Sequence, residues 1–301
     1  MKKIVFVLFV CLLFVLSSCS NSYGIRRPYR YKTKANQTLK NFPDSIDGAG
    51  SVEKYEIIGA KYCLVHIADV HGSIETPDND WVYVKSIQDD IYNIITSLLR
   101  DGYLPTNEIF IEVTDQELTT RNAPPNDSTV NIHSTLEDFY KLADRKFTQL
   151  QMAPDTEIPG LITYDVVLET CLFLYERFQR ENERAFNRLE QNGQLSLLSS
   201  EGTLEKKAAN DFLDFAESQK SNSALKESDL EWFNATQEAR ENAVIENIAL
   251  KTKTSLPIVV FGARHWFGRS ISSWNKNNPD KKYSLIFITP QHYDKNYKPT
   301  G

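Results

Sequence analysis

Apolar residues follow two rhythms along this chain. Short unbroken runs, rich in β-branched side chains, fall at Leu64-Val65-His66-Ile67-Ala68, Ile109-Phe110-Ile111, Ile258-Val259-Val260-Phe261 and Leu285-Ile286-Phe287-Ile288. Runs of this length, closed by turn residues, read as strands buried on both faces. They predict strands over Tyr62–Ala68, Glu108–Val113, Ile258–Phe261 and Tyr283–Thr289, with a further short strand or lead-in at Tyr55–Ile58. Between them the apolar positions recur at three and four residues. Val84, Ile87, Ile91, Ile94, Ile95 and Leu98 share one face of a helix expected over Asp80–Arg100, capped by Asn79 or Asp80 and stopped at Asp101-Gly102. Helices are also expected at Thr135–Leu150, Leu161–Asn187, Leu204–Lys220, Asp229–Lys253 and Arg269–Lys276. Ser228 opens the helix at Asp229–Lys253, with Glu231 placed for a capping box. The stretch Thr114–Ser134 reads as a long loop.

The resulting order is two β-α-β units around a helical insert at about residues 135–254. That predicts one α/β domain over 52–301, with a mainly parallel sheet and the insert as a cap.

The first residues follow neither rhythm. Lys2-Lys3 precede an apolar run, Ile4 to Leu16, that is shorter than the ~20 residues of a membrane span. Leu16-Ser17-Ser18-Cys19 then resembles the lipobox of bacterial lipoproteins. The resemblance implies a signal peptide over 1–18, lipidation of Cys19, attachment to a membrane and a place in the bacterial cell envelope. Residues 19–51 are polar and aperiodic and read as a tether.

Composition narrows the field. Of 301 residues, 41% are hydrophobic and 25% charged, with a net charge of −6. A mildly acidic chain without a basic stripe argues against nucleic acid as partner. Cys63 and Cys171 have no metal-type spacing, and two buried thiols are expected rather than a bridge. A phosphate-binding Gly-rich loop, a Gly-x-Ser-x-Gly elbow and a His-Glu-x-x-His motif are all missing from the sequence.

The candidate chemistry lies where the strands end. Asp69 and His71 follow the first strand, Glu112 and Asp115 the second, Arg264 and His265 the third, and Gln291 and His292 the fourth. In an open parallel sheet these ends converge on one edge, where ligands bind. Two His and a carboxylate can hold a divalent metal or run acid–base chemistry without one. Glu112 inside an apolar strand must be paired; an ion pair with Arg121, Arg240 or Arg264 is the structural alternative to a site role. Arg240 shares a helix face with Ala243 and Asn247, so it points inward, as an Arg does to bind a carboxylate or phosphate. His66 lies within its strand and reads as structural. His133 carries no specific signal, and His292 reads as surface.

Four stretches carry a family resemblance: Ala68-Asp69-Val70-His71; Ile109-Phe110-Ile111-Glu112; Arg240-Glu241-Asn242-Ala243-Val244-Ile245-Glu246-Asn247; and Gly262-Ala263-Arg264-His265. In this order the chain resembles the erythromycin esterase, ChaN-like and TraB/TIKI superfamily over roughly residues 60–290. The resemblance implies a hydrolase acting on a small molecule or peptide, with His71, Glu112, His265 and Arg240 as catalytic candidates and Asp69, Arg264 and Asn242 as ligand-binding ones. By the TIKI-like branch, His71, His265 and Glu112 would hold a divalent metal ion. By the ChaN-like branch, the chain would be a non-catalytic lipoprotein that binds haem or another small ligand.

Overall fold

The structure is a computed structural model that describes residues 37–70, 78–122, 130, 134–152, 163–219 and 227–297. The signal peptide, Cys19, His71 and His133 lie outside the described residues. No helix among the described residues is long and apolar enough to cross a membrane.

The chain runs α1 (Gln37–Asn41), β1 (Ala49–Tyr55), β2 (Tyr62–Asp69), α2 (Asp78–Arg100), β3 (Glu108–Ile111), α3 (Asp115–Asn122), α4 (Leu136–Met152), α5 (Tyr164–Asn182), α6 (Ala185–Gln191), β4 (Ser196–Ser199), α7 (Thr203–Gln219), α8 (Glu227–Lys251), β5 (Ile258–Gly262), α9 (Gly268–Asn277) and β6 (Tyr283–Pro290). One six-stranded sheet has the order β1-β6-β2-β5-β3-β4. β1 is antiparallel to β6, and every other pair is parallel. The expected mainly parallel α/β sheet is therefore present, with two strands more than the four confident apolar runs suggested.

Alternation along the strands sorts the core into two layers. Val65, Ile67, Ile109, Ile111, Val260 and Ile286 pack with the α2 stripe and with Phe186 and Leu189 of α6. Leu64, Phe110, Val259, Phe261 and Leu285 pack against Val244, Ile245 and Ile248 of α8 and Ile271 of α9. The six predicted α2 residues are all at least 95% buried, each contributing roughly 1.5–3 kcal/mol of burial. α2 stops where Gly102 adopts φ 72°, a left-handed conformation that favours glycine. α4 and α5 pack on each other through Phe139, Leu142, Val167 and Cys171, apart from both layers.

Several boundaries differ from expectation. α2 begins at Asp78, so Asn79 and Asp80 lie inside it rather than capping it. α8 begins at Glu227, which places Ser228 inside the helix. The single helix expected over 161–187 is two, because Arg184 leaves the helical region at φ −61°, ψ 141°. The long loop contains α3, closed by a Thr114–Glu117 capping box in which each backbone N–H donates to the other's side chain. The helical insert contains β4. Residues 37–51, within the expected tether, hold α1 and the start of β1, with Leu39 and Phe42 in the core. Cys63 and Cys171 are buried free thiols in different clusters.

Candidate acid–base site at the end of the sheet

The connection leaving β2 travels to β3, on one side of the sheet. The connection leaving β5 crosses back past β2 to β6. β2 and β5 are neighbours whose chains depart in opposite directions, which is the switch point where an open parallel sheet is expected to form a crevice, here beyond Asp69 and Gly262. The N–H of Ala263 donates to the Asp69 carbonyl across it (2.8 Å).

Glu112 follows β3 into this crevice. One carboxylate oxygen accepts from Arg240 Nη2 (2.7 Å) and the other from the Gly262 N–H (2.7 Å). A Cβ at position 262 would sit 3.2 Å from Glu112 and 3.3 Å from the His265 ring, so the approach suits a glycine. The same Gly262 carbonyl accepts the His265 N–H (3.0 Å), closing the Gly-x-x-His turn. Of the three ion-pair partners open to Glu112, the structure selects Arg240.

Arg240 comes from α8 and does point inward. Its partners belong to the protein: Glu112 on one side and Glu201, just beyond β4, on the other. Burial opposes the guanidinium's charge, but Glu112 and Glu201 outweigh it and hold its pKa above the ordinary value. Glu201 is fully buried and also meets Lys206 Nζ (2.7 Å), which reaches Glu117 as well (2.9 Å). Glu112, Arg240 and His265 keep 11–13% of their side-chain surface open, whereas Glu201 keeps none. The first three therefore face the crevice, and Glu201 backs them.

His265 is held from both ring nitrogens. Nδ1 lies 3.2 Å from Glu241 Oε1, which also accepts the Trp266 N–H (3.2 Å). Nε2 lies 3.5 Å from Arg240 Nη1. A guanidinium has only donors, so the nitrogen that faces it is the unprotonated one. The network thus assigns the Nδ1–H tautomer, donating to Glu241, with the Nε2 lone pair toward Arg240 Nη1.

Asp69 leaves β2 toward the other layer. Gln88 Nε2 donates to it (2.6 Å), and Arg184 Nη2 pairs with it (3.3 Å). Gln88 also accepts the Ala185 N–H (3.1 Å), which satisfies an open donor at the start of α6. Asp69 is 97% buried and serves this joint. Arg264 is exposed and lies near Tyr293. Asn242 lines a groove between α8 and α9, together with Ser270 and Trp274. Asp115, expected beside Glu112, instead pairs with Lys251 (2.8 Å) and with the Ser199 hydroxyl. His292 is largely exposed and pairs with Asp90 (3.0 Å) at the end of β6. His66 is fully buried against Phe267 and Phe287 and donates through Nε2 to the Phe261 carbonyl (3.0 Å). Burial pushes its pKa down to about 4, so the ring is neutral.

The donor set around Glu112 and His265 does not fit a divalent ion as it stands. Both Glu112 oxygens are engaged, one of them by a cation, and His265 Nε2 faces the same guanidinium. An ion bound there would sit against Arg240. Among the described residues no group of three or more His, Cys, Asp or Glu side chains is placed to hold a metal.

Three partners were not read from the sequence: Glu241, Glu201 and Arg184. Glu241 adjoins Arg240, but helix periodicity alone put it a third of a turn away from the crevice. Glu201 follows Leu195-Ser196-Leu197-Leu198-Ser199, whose turn signal Asn192-Gly193 could have marked β4. Comparison with protein-family models, with curated proteins and with solved structures returned no match.

Proposed function

We propose that this protein is a hydrolase in which His265 acts as general base, positioned by Glu241, on a small-molecule or peptide substrate bound in the crevice between β2 and β5. The observation that carries the reading is the imidazole held between a carboxylate at Nδ1 and a donor-only guanidinium at Nε2. Nε2 takes a proton from water as the oxygen attacks the scissile carbonyl. Glu241 stabilises the imidazolium that forms, and His265 returns the proton to the leaving group. Arg240 Nη1, beside Nε2, is the donor nearest a developing oxyanion. Glu112 acts as a positioning residue: its carboxylate is committed to Arg240 and the Gly262 N–H.

Arg240 is fixed between two carboxylates, so it offers a developing oxyanion a positioned N–H donor rather than a free cation for an anionic substrate. Attachment to a membrane through a lipid on Cys19, in a bacterial cell envelope, belongs to the same proposal and rests on the lipobox resemblance.

The test is a panel of chromogenic esters and amides. His265→Gln should cut kcat roughly 100- to 10,000-fold with an unchanged melting temperature. Glu241→Gln should lower kcat less and shift the pH–rate profile. Full activity in His265→Gln sinks the reading. Dialysis against a chelator should leave activity intact. Activity lost to the chelator and restored by zinc would return the metal-assisted mechanism.

A further inference from the structure

Past the end of β6, residues 292–297 turn back and run along α2 as a strap. They meet Asp80, Tyr83 and Asp90, which share one face of that helix at i, i+3 and i+10. Asp90 accepts the His292 N–H (2.7 Å) and pairs with the ring at Nδ1 (3.0 Å). The Tyr83 hydroxyl accepts the Asp294 N–H (2.9 Å) and donates to the Asp294 carbonyl (3.3 Å). Tyr297 stacks on Tyr83, with ring centroids 3.8 Å apart, and its hydroxyl donates to Asp80.

This attachment can be undone without breaking the sheet. The strap meets α2 only through α2 side chains among these contacts, and its backbone-to-backbone bonds, from Tyr293 to Pro290 and from Tyr297 to Asp294, are local turns. His292, Asp294, Lys295 and Asn296 are exposed. Water can take over the polar contacts when such a segment lifts, so it opens at lower free energy than the buried strands beside it.

The strap also borders the switch point. β2 lies between β6 and β5 in the sheet. Tyr293, past β6, packs against the α2-side core, as Val70 does past β2. Burial pushes the Tyr293 phenol up, and the Arg264 guanidinium, past β5, pulls it back. A neighbour relation between Tyr293 and Arg264 has to pass over the end of β2. Behind it, Glu112, Arg240 and His265 keep little side-chain surface open, so a substrate needs a bordering segment to move.

We propose that residues 292–297 form a lid that lifts off α2 and opens the β6 flank of the crevice to His265. The lid rests on the reading of that crevice as the substrate site, so its test reads access to His265 and not turnover.

Hydrogen exchange on the full-length protein comes first. The His292 and Asp294 amides should exchange roughly tenfold faster than those of Ile286 and Ile288 in β6, or more. The second readout is the rate at which diethyl pyrocarbonate modifies His265, followed by peptide mass spectrometry. Tyr297→Ala, which removes the stack and the bond to Asp80, should raise that rate roughly fivefold. A chain ending at Gln291 should raise it further, with the buried His66 unmodified in both. Tyr297→Phe keeps the stack and should fall between the parent and Tyr297→Ala. Strap amides as slow as those of β6 overturn the proposal. So does an unchanged His265 rate in both the alanine variant and the shortened chain, or a rise matched by His66, which would be general loosening. A faster His265 rate beside a substrate panel without turnover would sink the hydrolytic reading and leave the lid standing.

Discussion

At the end of the sheet, Asp69 turns toward α2 and α6 while Glu112 turns toward α8, and the two carboxylates meet different fates. Asp69 is packed between Gln88 and Arg184, and Gln88 in turn holds the first N–H of α6. These contacts join β2 to the break between α5 and α6. Glu112 also has a cation and a donor, but its cation is shared with Glu201 and meets the imidazole Nε2 only at 3.5 Å, the long limit of a hydrogen bond. A strand-end carboxylate is thus no sign of chemistry by itself. What separates joint from site is whether a neighbouring group is left with capacity to act.

The largest effect that probes this contrast is loss of Arg240. Arg240→Leu removes the cation shared by two buried carboxylates, leaving Glu112 the Gly262 N–H and Glu201 the Lys206 ammonium, and should cost about 3–5 kcal/mol, read from urea unfolding. Arg184→Leu should cost less, about 1–3 kcal/mol, because Gln88 still serves Asp69. The contrast breaks if the Arg184 variant is the less stable of the two.

Next in size is the pH dependence set by His66, on the α8 side. The folded protein keeps this ring neutral down to about pH 4, while the unfolded chain protonates near its ordinary 6.5. The unfolded state takes up the proton first, so the contribution is complete above pH 6.5 and is lost as pH falls toward 4. It amounts to roughly 3 kcal/mol. Melting curves between pH 7 and 4 should fall steeply for the parent and less so for His66→Gln. Equal slopes would remove His66 as the cause.

The smallest effect is expected at Lys251, which pairs with Asp115 at the same end of the sheet but in solvent. Lys251→Ala should change stability by less than about 1 kcal/mol. A larger loss would mean that its contacts to Ser199 carry structural weight, and would extend the Glu201 network to β4.

Much of the scaffold was legible because burial leaves a period. Unbroken β-branched runs marked β2, β3, β5 and β6, and the stripe from Val84 to Leu98 marked α2. β4 left only the Asn192-Gly193 turn as a mark, since four residues with serines at both ends carry little apolar signal. The break at Arg184 was hidden because the apolar pattern continues through Phe186 and Leu189 on the far side of it.

By itself the sequence determined the α/β class, the parallel sheet and the inward direction of Arg240. These follow from local alternation and helix spacing, which a single chain records directly. It also placed Glu112 and Gly262-Ala263-Arg264-His265 at strand ends. Only the tertiary structure decided that β5 inserts between β2 and β3, which sets the switch point at Asp69 and Gly262. It alone decided that Arg240 spends its charge on Glu112 and Glu201, and that Glu241 holds His265. Those choices rest on contacts between residues 24 to 128 positions apart, whose pairing depends on strand order and leaves no period in the sequence.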